Sequence, residues 1–216
     1  MTRILIVRHG ETDWNADARV QGHTDVPMND AGRRQVATAA AALAGERVAA
    51  VYASDLCRAA ETGAILAAPH GLTVLHDADL RERNWGSWQG RAMPEIAEQE
   101  PELYARLRAG EWVTPDGAEA YEPFQARVAG AMQRIASAHC NQTVVVATHG
   151  GPVKAFTVWA LGAPISAQSA MRTSNAAITT FLIRNGRWVL ESYNVTAHVL
   201  EAPVASPGKA LIESAF

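Results

Sequence analysis

Three short segments of the chain are almost entirely apolar. They read ILIV at residues 4–7, VAAVYA at residues 48–53 and TVVVAT at residues 143–148. β-Branched residues are frequent in them, which favours strands, and apolar positions do not alternate with polar ones. A strand without alternation is expected to be covered on both faces, as in the centre of a parallel sheet. These segments therefore predict the middle of a buried, mainly parallel sheet.

Helical patterns separate the predicted strands. Asn29 suits the N-cap of an alanine-rich helix, Ser54 or Asp55 suits the N-cap of the next, and Pro152 suits the first position of the last. The predicted helices cover residues 31–43, 56–68, 119–139 and 152–161. In the third of them apolar residues recur every three or four positions, which predicts an amphipathic helix.

The remaining segments predict a cap and a sheet edge. Several prolines interrupt residues 93–117, leaving at most two short helices, which we expect to form a small cap insertion at about residues 91–119. Further strands are predicted at residues 72–76, 177–183 and 188–193, the last two joined as a hairpin by Asn185 and Gly186. The tail after Pro203 has no assignable pattern. The order of elements predicts one α/β domain over residues 1–216, with a mostly parallel central sheet.

Charge and cysteine content narrow the class of protein. The formal net charge is −3, so neither a nucleic acid nor an anionic membrane surface is indicated as a partner. No stretch approaches about 18 apolar residues and the amino end lacks a signal-peptide core, which predicts a cytoplasmic protein. Cys57 and Cys140 form no CxxC pair and predict reduced, buried thiols. An exposed edge hairpin would permit a homodimer, which the sequence leaves open beside a monomer.

Residues able to bind a phosphoryl group follow three of the predicted strands. They are Arg8, His9, Arg58 and His149. Because the carboxyl ends of parallel strands share one edge of the sheet, we expect these side chains on one side of it. Two guanidinium groups, two imidazoles and helix amino termini make a site for a small phosphorylated substrate. Asn15 could add a side-chain amide donor or be only a helix cap, and Gly150 could add a backbone N–H.

His9 and Glu82 are the candidates for the chemical steps. Neighbouring arginines oppose protonation of an imidazole, which would keep His9 neutral and nucleophilic. Glu82 lies in the loop LRERNWG and is the candidate general acid, the alternative being an ion-pair partner of Arg81 or Arg83. The sequence contains no HExxH, no Asp-rich ligand loop and no GxxxxGKS/T, so neither a metal nor another cofactor is predicted.

Four segments together resemble one known family. They read RHGETDWN at residues 8–15, SDLCRAAET at residues 54–62, LRERNWGSWQG at residues 80–90 and THGG at residues 148–151. In order and spacing they resemble the histidine phosphatase superfamily, also called phosphoglycerate mutase-like. The resemblance spans about residues 3–195 and implies a three-layer αβα sandwich and a phosphohistidine intermediate.

The resemblance implies a role for each matching residue. The residues that match the catalytic set are His9, Glu82, Arg8, Arg58 and His149. Among them His9 would be the nucleophile, Glu82 would be the proton donor, and the other three would hold the phosphate. The residues that match substrate contacts are Asn15, Gln21, Gly22 and Gly150.

The segment between Gly90 and Glu119 differs from that of the glycolytic mutases. Those enzymes carry a longer, basic and proline-rich insert there, whereas this segment is short and acidic, so the resemblance is closer to the broad-specificity phosphatases. Glu119 falls at a polar cap position of the family, although DGAEA departs from the commoner GES pattern. The sequence thus predicts a metal-independent phosphomonoester hydrolase. Phosphoglycerate mutase-type transfer and a non-catalytic phospholigand-binding scaffold are the alternatives.

Overall fold

The computed structural model describes residues 1–199, and in that range the chain forms a six-stranded sheet. The strands are β1 (Thr2–Arg8), β2 (Val48–Ala53), β3 (Val74–His76), β4 (Thr143–Thr148), β5 (Ile178–Arg184) and β6 (Arg187–Val195). Their order is β3-β2-β4-β1-β5-β6. The first four strands are parallel to one another, and β5 pairs antiparallel with both β1 and β6. The predicted mostly parallel sheet with an edge hairpin is confirmed. The tail after Pro203 lies outside the described residues.

Seven α-helices connect the strands within residues 1–199. They are α1 (Asp13–Ala16), α2 (Asp30–Leu43), α3 (Cys57–Ala67), α4 (Met93–Gln99), α5 (Pro101–Arg108), α6 (Tyr121–Ala138) and α7 (Gly150–Leu161). Short 3₁₀ turns occur at Ala68–His70, Ala78–Leu80, Gly86–Trp88 and Ile165–Ala170. The sequence patterns predicted the longer helices but not the one-turn helix α1.

Successive residues of β1 enter two different cores. Ile4 and Ile6 pack with residues of α6 and α7 on one face of the sheet. Leu5 and Val7 pack with residues of α2 and α3 on the other face. Because side chains alternate across a strand, an unbroken apolar run is what a strand between two helical layers requires. The three-layer αβα architecture follows from this arrangement.

Two helices begin differently from the prediction. The N-cap of α3 is Leu56, not Ser54 or Asp55, and the amide of Cys57 is capped from another loop by the Asp25 carboxylate at 2.7 Å. Pro152 is the third residue of α7 and not the first. A proline is tolerated throughout the first helical turn, since the amides there have no partner within the helix.

The hairpin turn is as predicted, but the two cysteines are not. Asn185 and Gly186 both have positive φ, 51° and 75°, as a two-residue type I′ turn requires. Cys57 is half-buried and Cys140 is exposed, so the prediction of two buried thiols is wrong. Cys57 is the first residue of α3, and Cys140 follows the end of α6.

The cap consists of α4, α5 and the loops around them. Its own apolar cluster contains Trp85, Trp88, Met93 and Ile96 and is separate from the cores that flank the sheet. The two short helices predicted between the prolines are therefore present. None of the helices between residues 1 and 199 combines the length and the apolar character needed to cross a bilayer.

Candidate active site

The carboxyl ends of β1, β2 and β4 bring four predicted site residues together. Arg8 ends β1 and His9 follows it, Arg58 lies in the first turn of α3, and His149 is the N-cap of α7. The ring centroids of His9 and His149 are 5.2 Å apart. Arg8, His9 and Arg58 also line a cavity of about 400 Å³. Residues separated by up to 141 positions thus share one side of the sheet.

The ring of His9 is held in one orientation by its neighbour. Its Nδ1 lies 2.7 Å from the carbonyl oxygen of Gly10, which can only accept, so Nδ1 carries the proton. Nε2 is then the nitrogen with the free lone pair. Burial, followed by the charges of Arg58 and Arg8, holds the pKa of His9 well below its ordinary value. The imidazole is consequently neutral near pH 7 and able to act as a nucleophile.

His149 is fully buried beside His9 and is anchored by Ser54. Its Nε2 lies 2.9 Å from the hydroxyl oxygen of Ser54, which also accepts the amide hydrogen of Leu56. The other nitrogen, Nδ1, is buried and has no hydrogen-bond partner among residues 1–199. Burial, then the charges of Arg58, His9 and Arg8, keeps the pKa of His149 well below its ordinary value. A hydroxyl proton donated to Nε2 would leave Nδ1–H available for an anion.

Arg58 is fully buried and holds the first loop of the cavity. Its two terminal nitrogens donate to the carbonyl oxygens of Gly22 and Thr24 at 2.7 and 2.9 Å. Burial lowers the pKa of Arg58 to about 10, so the guanidinium stays charged at neutral pH. No carboxylate neutralises Arg58 by an ion pair within the described chain, and a buried cation of this kind favours binding of an anion.

Asn15 is both a helix-capping residue and part of the cavity wall. Its Oδ1 accepts from the amide and the hydroxyl of Thr12 and from Nδ2 of Asn175, which also donates to the backbone carbonyl of His9. These contacts fix the side-chain oxygen towards the protein. Asn15 therefore has the capping role and also lines the cavity, while its role as a donor to a ligand stays a prediction.

Glu82 is held at the amino end of α7. One carboxylate oxygen accepts the amide of Gly151 at 3.1 Å and the other accepts the amide of Arg83 at 2.8 Å. A Cβ on Gly151 would lie only 2.1 Å from the Glu82 carboxylate, so this close approach requires glycine. Glu82 also lines the 400 Å³ cavity, as His9 does.

Of the remaining predicted substrate contacts, some line the cavity and one does not. Gln21 and Gly22 line the cavity, and the φ of Gly22 is +54°. Gly150 is the first residue of α7 and is buried beside His149, but it does not line the cavity in its present shape. At the amino end of α7, the amide of Gly151 donates to the Glu82 carboxylate.

Glu119 lies behind the site and not in it. Its carboxylate pairs with Arg127 through two hydrogen bonds of 2.7 and 2.8 Å, and it also accepts the amide of Asn84. Burial raises the pKa of Glu119, but the hydrogen bond and charge of Arg127 outweigh it and hold the pKa below its ordinary value. The polar cap residue expected from the family pattern therefore supports the Glu82 loop.

A second cavity, of about 170 Å³, lies between Glu82 and the cap. Glu82 and Trp85 line both cavities, so the two cavities adjoin at these residues. Its charged lining residues are Glu82, Arg83, Arg108, Glu111 and Lys154. Glu111 is paired with Arg106 at 2.9 Å. Among the lining residues that belong to the described chain, three are therefore cations and two are carboxylates.

Lys154 and Arg83 are buried cations of the second cavity. Burial and the charge of Arg8 lower the pKa of Lys154 to about 8, against the attraction of Glu82. Arg83 is 1% exposed and lies between the rings of Trp85 and Trp112, at 4.2 and 3.8 Å from their centroids. Its burial lowers its pKa to about 9. Both groups remain mainly protonated at pH 7.

Ser54 and Asn175 are parts of the site that the sequence did not predict. Ser54 was interpreted only as a helix cap, and it binds His149. Asn175 precedes β5 and binds the backbone of His9. A polar residue next to a predicted strand end is the only signal that the sequence offers for either. No group of three or more possible metal ligands occurs within residues 1–199.

The lowered pKa values of His9 and His149 predict a pH-dependent stability. Above about pH 6.5 both residues are neutral in the folded and the unfolded chain, so neither contributes a pH dependence. Below about pH 6.5 the unfolded chain takes up protons that the folded protein excludes. The free energy of unfolding should therefore fall as the pH falls, by up to ~1.4 kcal/mol per pH unit for each histidine.

Urea unfolding between pH 7.5 and pH 5 measures this dependence. A protein carrying His9→Gln and His149→Gln should lose less stability over the range than the wild type. His76→Gln, the same exchange at an exposed histidine outside the site, supplies the matched control. An unchanged pH dependence in the double variant would contradict the prediction.

Comparison with known proteins identifies the wider group of relatives. The family model of the histidine phosphatase superfamily (branch 1) matches residues 4–196. A phosphoglycerate mutase-like protein 4 of Arabidopsis thaliana is 37% identical over 210 residues, covering 95% of this chain and 90% of the relative. A metal-independent phosphoserine phosphatase of the same plant is 35% identical over 206 residues, covering 92% and 84%.

A solved structure shows the same fold. A mutant of phosphoserine phosphatase from Entamoeba histolytica, in complex with phosphoserine, superposes with a TM-score of 0.82. It is 26% identical in sequence, and the match covers 92% of this chain and 100% of that one. The similarity extends over almost the whole described chain, including the strands and helices that carry the candidate site.

Proposed function

The chain belongs to the histidine phosphatase superfamily, and from this premise we propose that it is a metal-independent phosphomonoesterase whose nucleophile is Nε2 of His9. The observation that carries the proposal is the state of that imidazole. Its Nδ1 is occupied by Gly10, its pKa is lowered, and two arginines lie beside it. A neutral nucleophile next to fixed positive charge is what attack on a phosphate dianion requires.

The first step transfers the phosphoryl group to the enzyme. The lone pair of His9 Nε2 attacks phosphorus while the bond from phosphorus to the ester oxygen breaks. Arg8, Arg58 and Nδ1–H of His149 bind the non-bridging oxygens, with the Asn15 amide as a further donor. Glu82, in its acid form, gives its proton to the leaving oxygen, which departs as an alcohol.

The second step releases phosphate. Glu82, now a carboxylate, takes a proton from water as the water oxygen attacks phosphorus. The bond from phosphorus to Nε2 breaks, and His9 returns to its neutral form. Fixed cations supply the charge stabilisation throughout, so the proposed chemistry needs no metal ion.

Trapping of the intermediate tests the proposal. Protein mixed with a ³²P-labelled alkyl phosphomonoester in the presence of EDTA and quenched in alkaline detergent should carry label stable to alkali and labile to acid, as a phosphohistidine is. Phosphate release without labelled protein in the first turnover, or activity that EDTA abolishes, would overturn the proposal. Absence of both label and phosphate release across a broad panel of monoesters would favour the scaffold alternative.

A mutase is the rival within the same family. One relative carries a mutase-like name, and a mutase would return the phosphoryl group to a second hydroxyl. Incubation with 3-phosphoglycerate and a catalytic amount of bisphosphoglycerate distinguishes the two activities. Release of phosphate faster than isomerisation is expected for the hydrolase, and the opposite ratio would favour the mutase.

The second cavity supports a phosphorylated acid as the substrate class. It starts at Glu82, the group that faces the leaving oxygen, and it is lined by the buried cations Lys154 and Arg83. A carboxylate a few bonds from the ester oxygen would reach this space. Phosphoserine, the substrate in the name of one relative, has a carboxylate a few bonds from its ester oxygen.

Lys154→Met tests the substrate class. We expect the specificity constant for phosphoserine and 3-phosphoglycerate to fall about 10- to 100-fold, the worth of one charge-assisted hydrogen bond. The value for glycerol 2-phosphate, which has no carboxylate, should change little, and Lys154→Arg should retain part of the preference. Equal losses for acidic and neutral substrates would contradict a carboxylate site here.

A further inference from the structure

Arg127 is joined to the loop that carries Glu82 by an unusual number of backbone contacts. From α6 its guanidinium donates to the carbonyl oxygens of Asp79, Arg81 and Glu82 at 2.9, 2.8 and 2.8 Å. One side chain thus binds three carbonyls within four consecutive residues. The same guanidinium is oriented by its two hydrogen bonds to Glu119.

The backbone of Glu82 has a second side-chain partner. Nε2 of His23 lies 2.7 Å from the Glu82 carbonyl oxygen, and since that oxygen only accepts, Nε2 donates. His23 lies between Gly22 and Thr24, whose carbonyls bind Arg58. The loop that meets the phosphate-binding arginine is therefore also tied to the proton donor.

The position of the Glu82 carboxyl group depends on this backbone. Between Asp77 and the β-bridge of Trp85 with Ala118 the loop has only a single 3₁₀ turn, Ala78–Leu80, so regular structure does not hold residues 81–84 in place. The carboxyl group is bound by the amides of Gly151 and Arg83. Such contacts set its direction, whereas the distance from His9 is set by where the backbone lies.

We propose that Arg127 is a positioning residue, which fixes the backbone of Glu82 at the distance from His9 that proton transfer to the leaving oxygen requires. This inference rests on the proposed function and extends it to a side chain that lines neither cavity. Arg127 touches no reacting atom and acts through Glu82. A misplacement of about 1 Å can cost ~10²-fold in rate, so loss of the three carbonyl contacts should be visible in kinetics.

Comparison of two leaving groups distinguishes a positioning role of Arg127 from a merely structural one. An alkoxide must be protonated as it leaves, whereas p-nitrophenolate is a weak base and leaves without a proton. A misplaced Glu82 should therefore slow phosphorylation of His9 by alkyl phosphates and spare phosphorylation by p-nitrophenyl phosphate. A general loss of structure would slow both.

The variants are Arg127→Lys and Arg127→Met. Lysine keeps a positive partner for Glu119 but cannot bridge three carbonyls, which guards against misfolding caused by an unpaired buried carboxylate. Arg134 supplies the matched control. It lies on the same helix and binds the side chains of Asp77 and Asp79, at the start of the same loop, at 3.0 and 2.7 Å. Arg134→Met removes ion pairs from the loop but no contact with a carbonyl.

Single-turnover formation of labelled phosphohistidine is the measurement. For Arg127→Lys we expect the rate with an alkyl phosphate to fall about 10²-fold and the rate with p-nitrophenyl phosphate to change less than about threefold. Arg134→Met should match the wild type with both substrates. Equal losses with both substrates, or no loss with either, would overturn the positioning role while leaving the proposed function intact. A wild-type protein that formed no phosphohistidine would instead overturn the proposed function, and this inference with it.

Discussion

Replacement of His9 by asparagine is expected to reduce phosphomonoesterase activity by at least about 10⁴-fold and to abolish the labelled intermediate. Asparagine has an amide in place of Nδ1–H but no lone pair of comparable nucleophilicity in place of Nε2. The binding pocket formed by Arg8, Arg58 and His149 would remain. Loss of turnover without loss of phosphate binding is therefore the expected result.

Measurements of catalysis and of phosphate binding test this prediction. Activity and phosphohistidine formation are compared in the wild type, His9→Asn and the exposed-site control His76→Asn, while orthophosphate binding is followed by calorimetry. The control should be fully active, and His9→Asn should still bind phosphate. A His9→Asn protein that accumulated alkali-stable label would place the nucleophile on another residue.

The fold could be predicted from the sequence because its strongest signals are local. An apolar run such as TVVVAT must be covered on both faces, and Asn185 with Gly186 specifies a tight turn by its own backbone preferences. Helix starts were predicted less well. The amide of Cys57 is capped by Asp25 from a distant loop, and no local pattern around α3 indicates such a partner.

The candidate site, like the fold, could be predicted only in the part that follows from local patterns and strand order. Arg8, His9, Arg58 and His149 follow strands, so topology alone brings them to one edge of the sheet. The groups that orient them come from elsewhere, as Asn175 does for His9. The contacts of such residues form only when the chain folds. The sequence could therefore predict the reacting groups but not the residues that orient them.

Glu119 illustrates how a family pattern can point to a residue without giving its role. The pattern placed it at a polar cap position. In the structure its carboxylate faces Arg127, behind the Glu82 loop. The departure of DGAEA from the commoner pattern does not disturb this contact, because the contact needs only the carboxylate and the arginine eight residues later.

Glu82→Gln should have the second largest effect, and its size should depend on the leaving group. Glutamine keeps an oxygen that can accept the Gly151 amide, although it loses the oxygen that accepts the amide of Arg83. It cannot donate an acidic proton or remove one from water. Phosphorylation of His9 by alkyl phosphates should fall about 10²- to 10⁴-fold, the range for loss of a general acid.

With p-nitrophenyl phosphate the same variant should behave differently, because the first step no longer needs the proton while the second still needs the base. Rapid-quench kinetics should show a burst of p-nitrophenolate close to one equivalent, followed by slow turnover, with phosphohistidine accumulating on His9 to a higher level than in the wild type. Glu122→Gln serves as the control, since Glu122 is exposed on α6 and lines neither cavity. It should turn over both substrates like the wild type. A Glu82→Gln protein that hydrolysed its phosphohistidine at the wild-type rate would show that another group activates the water.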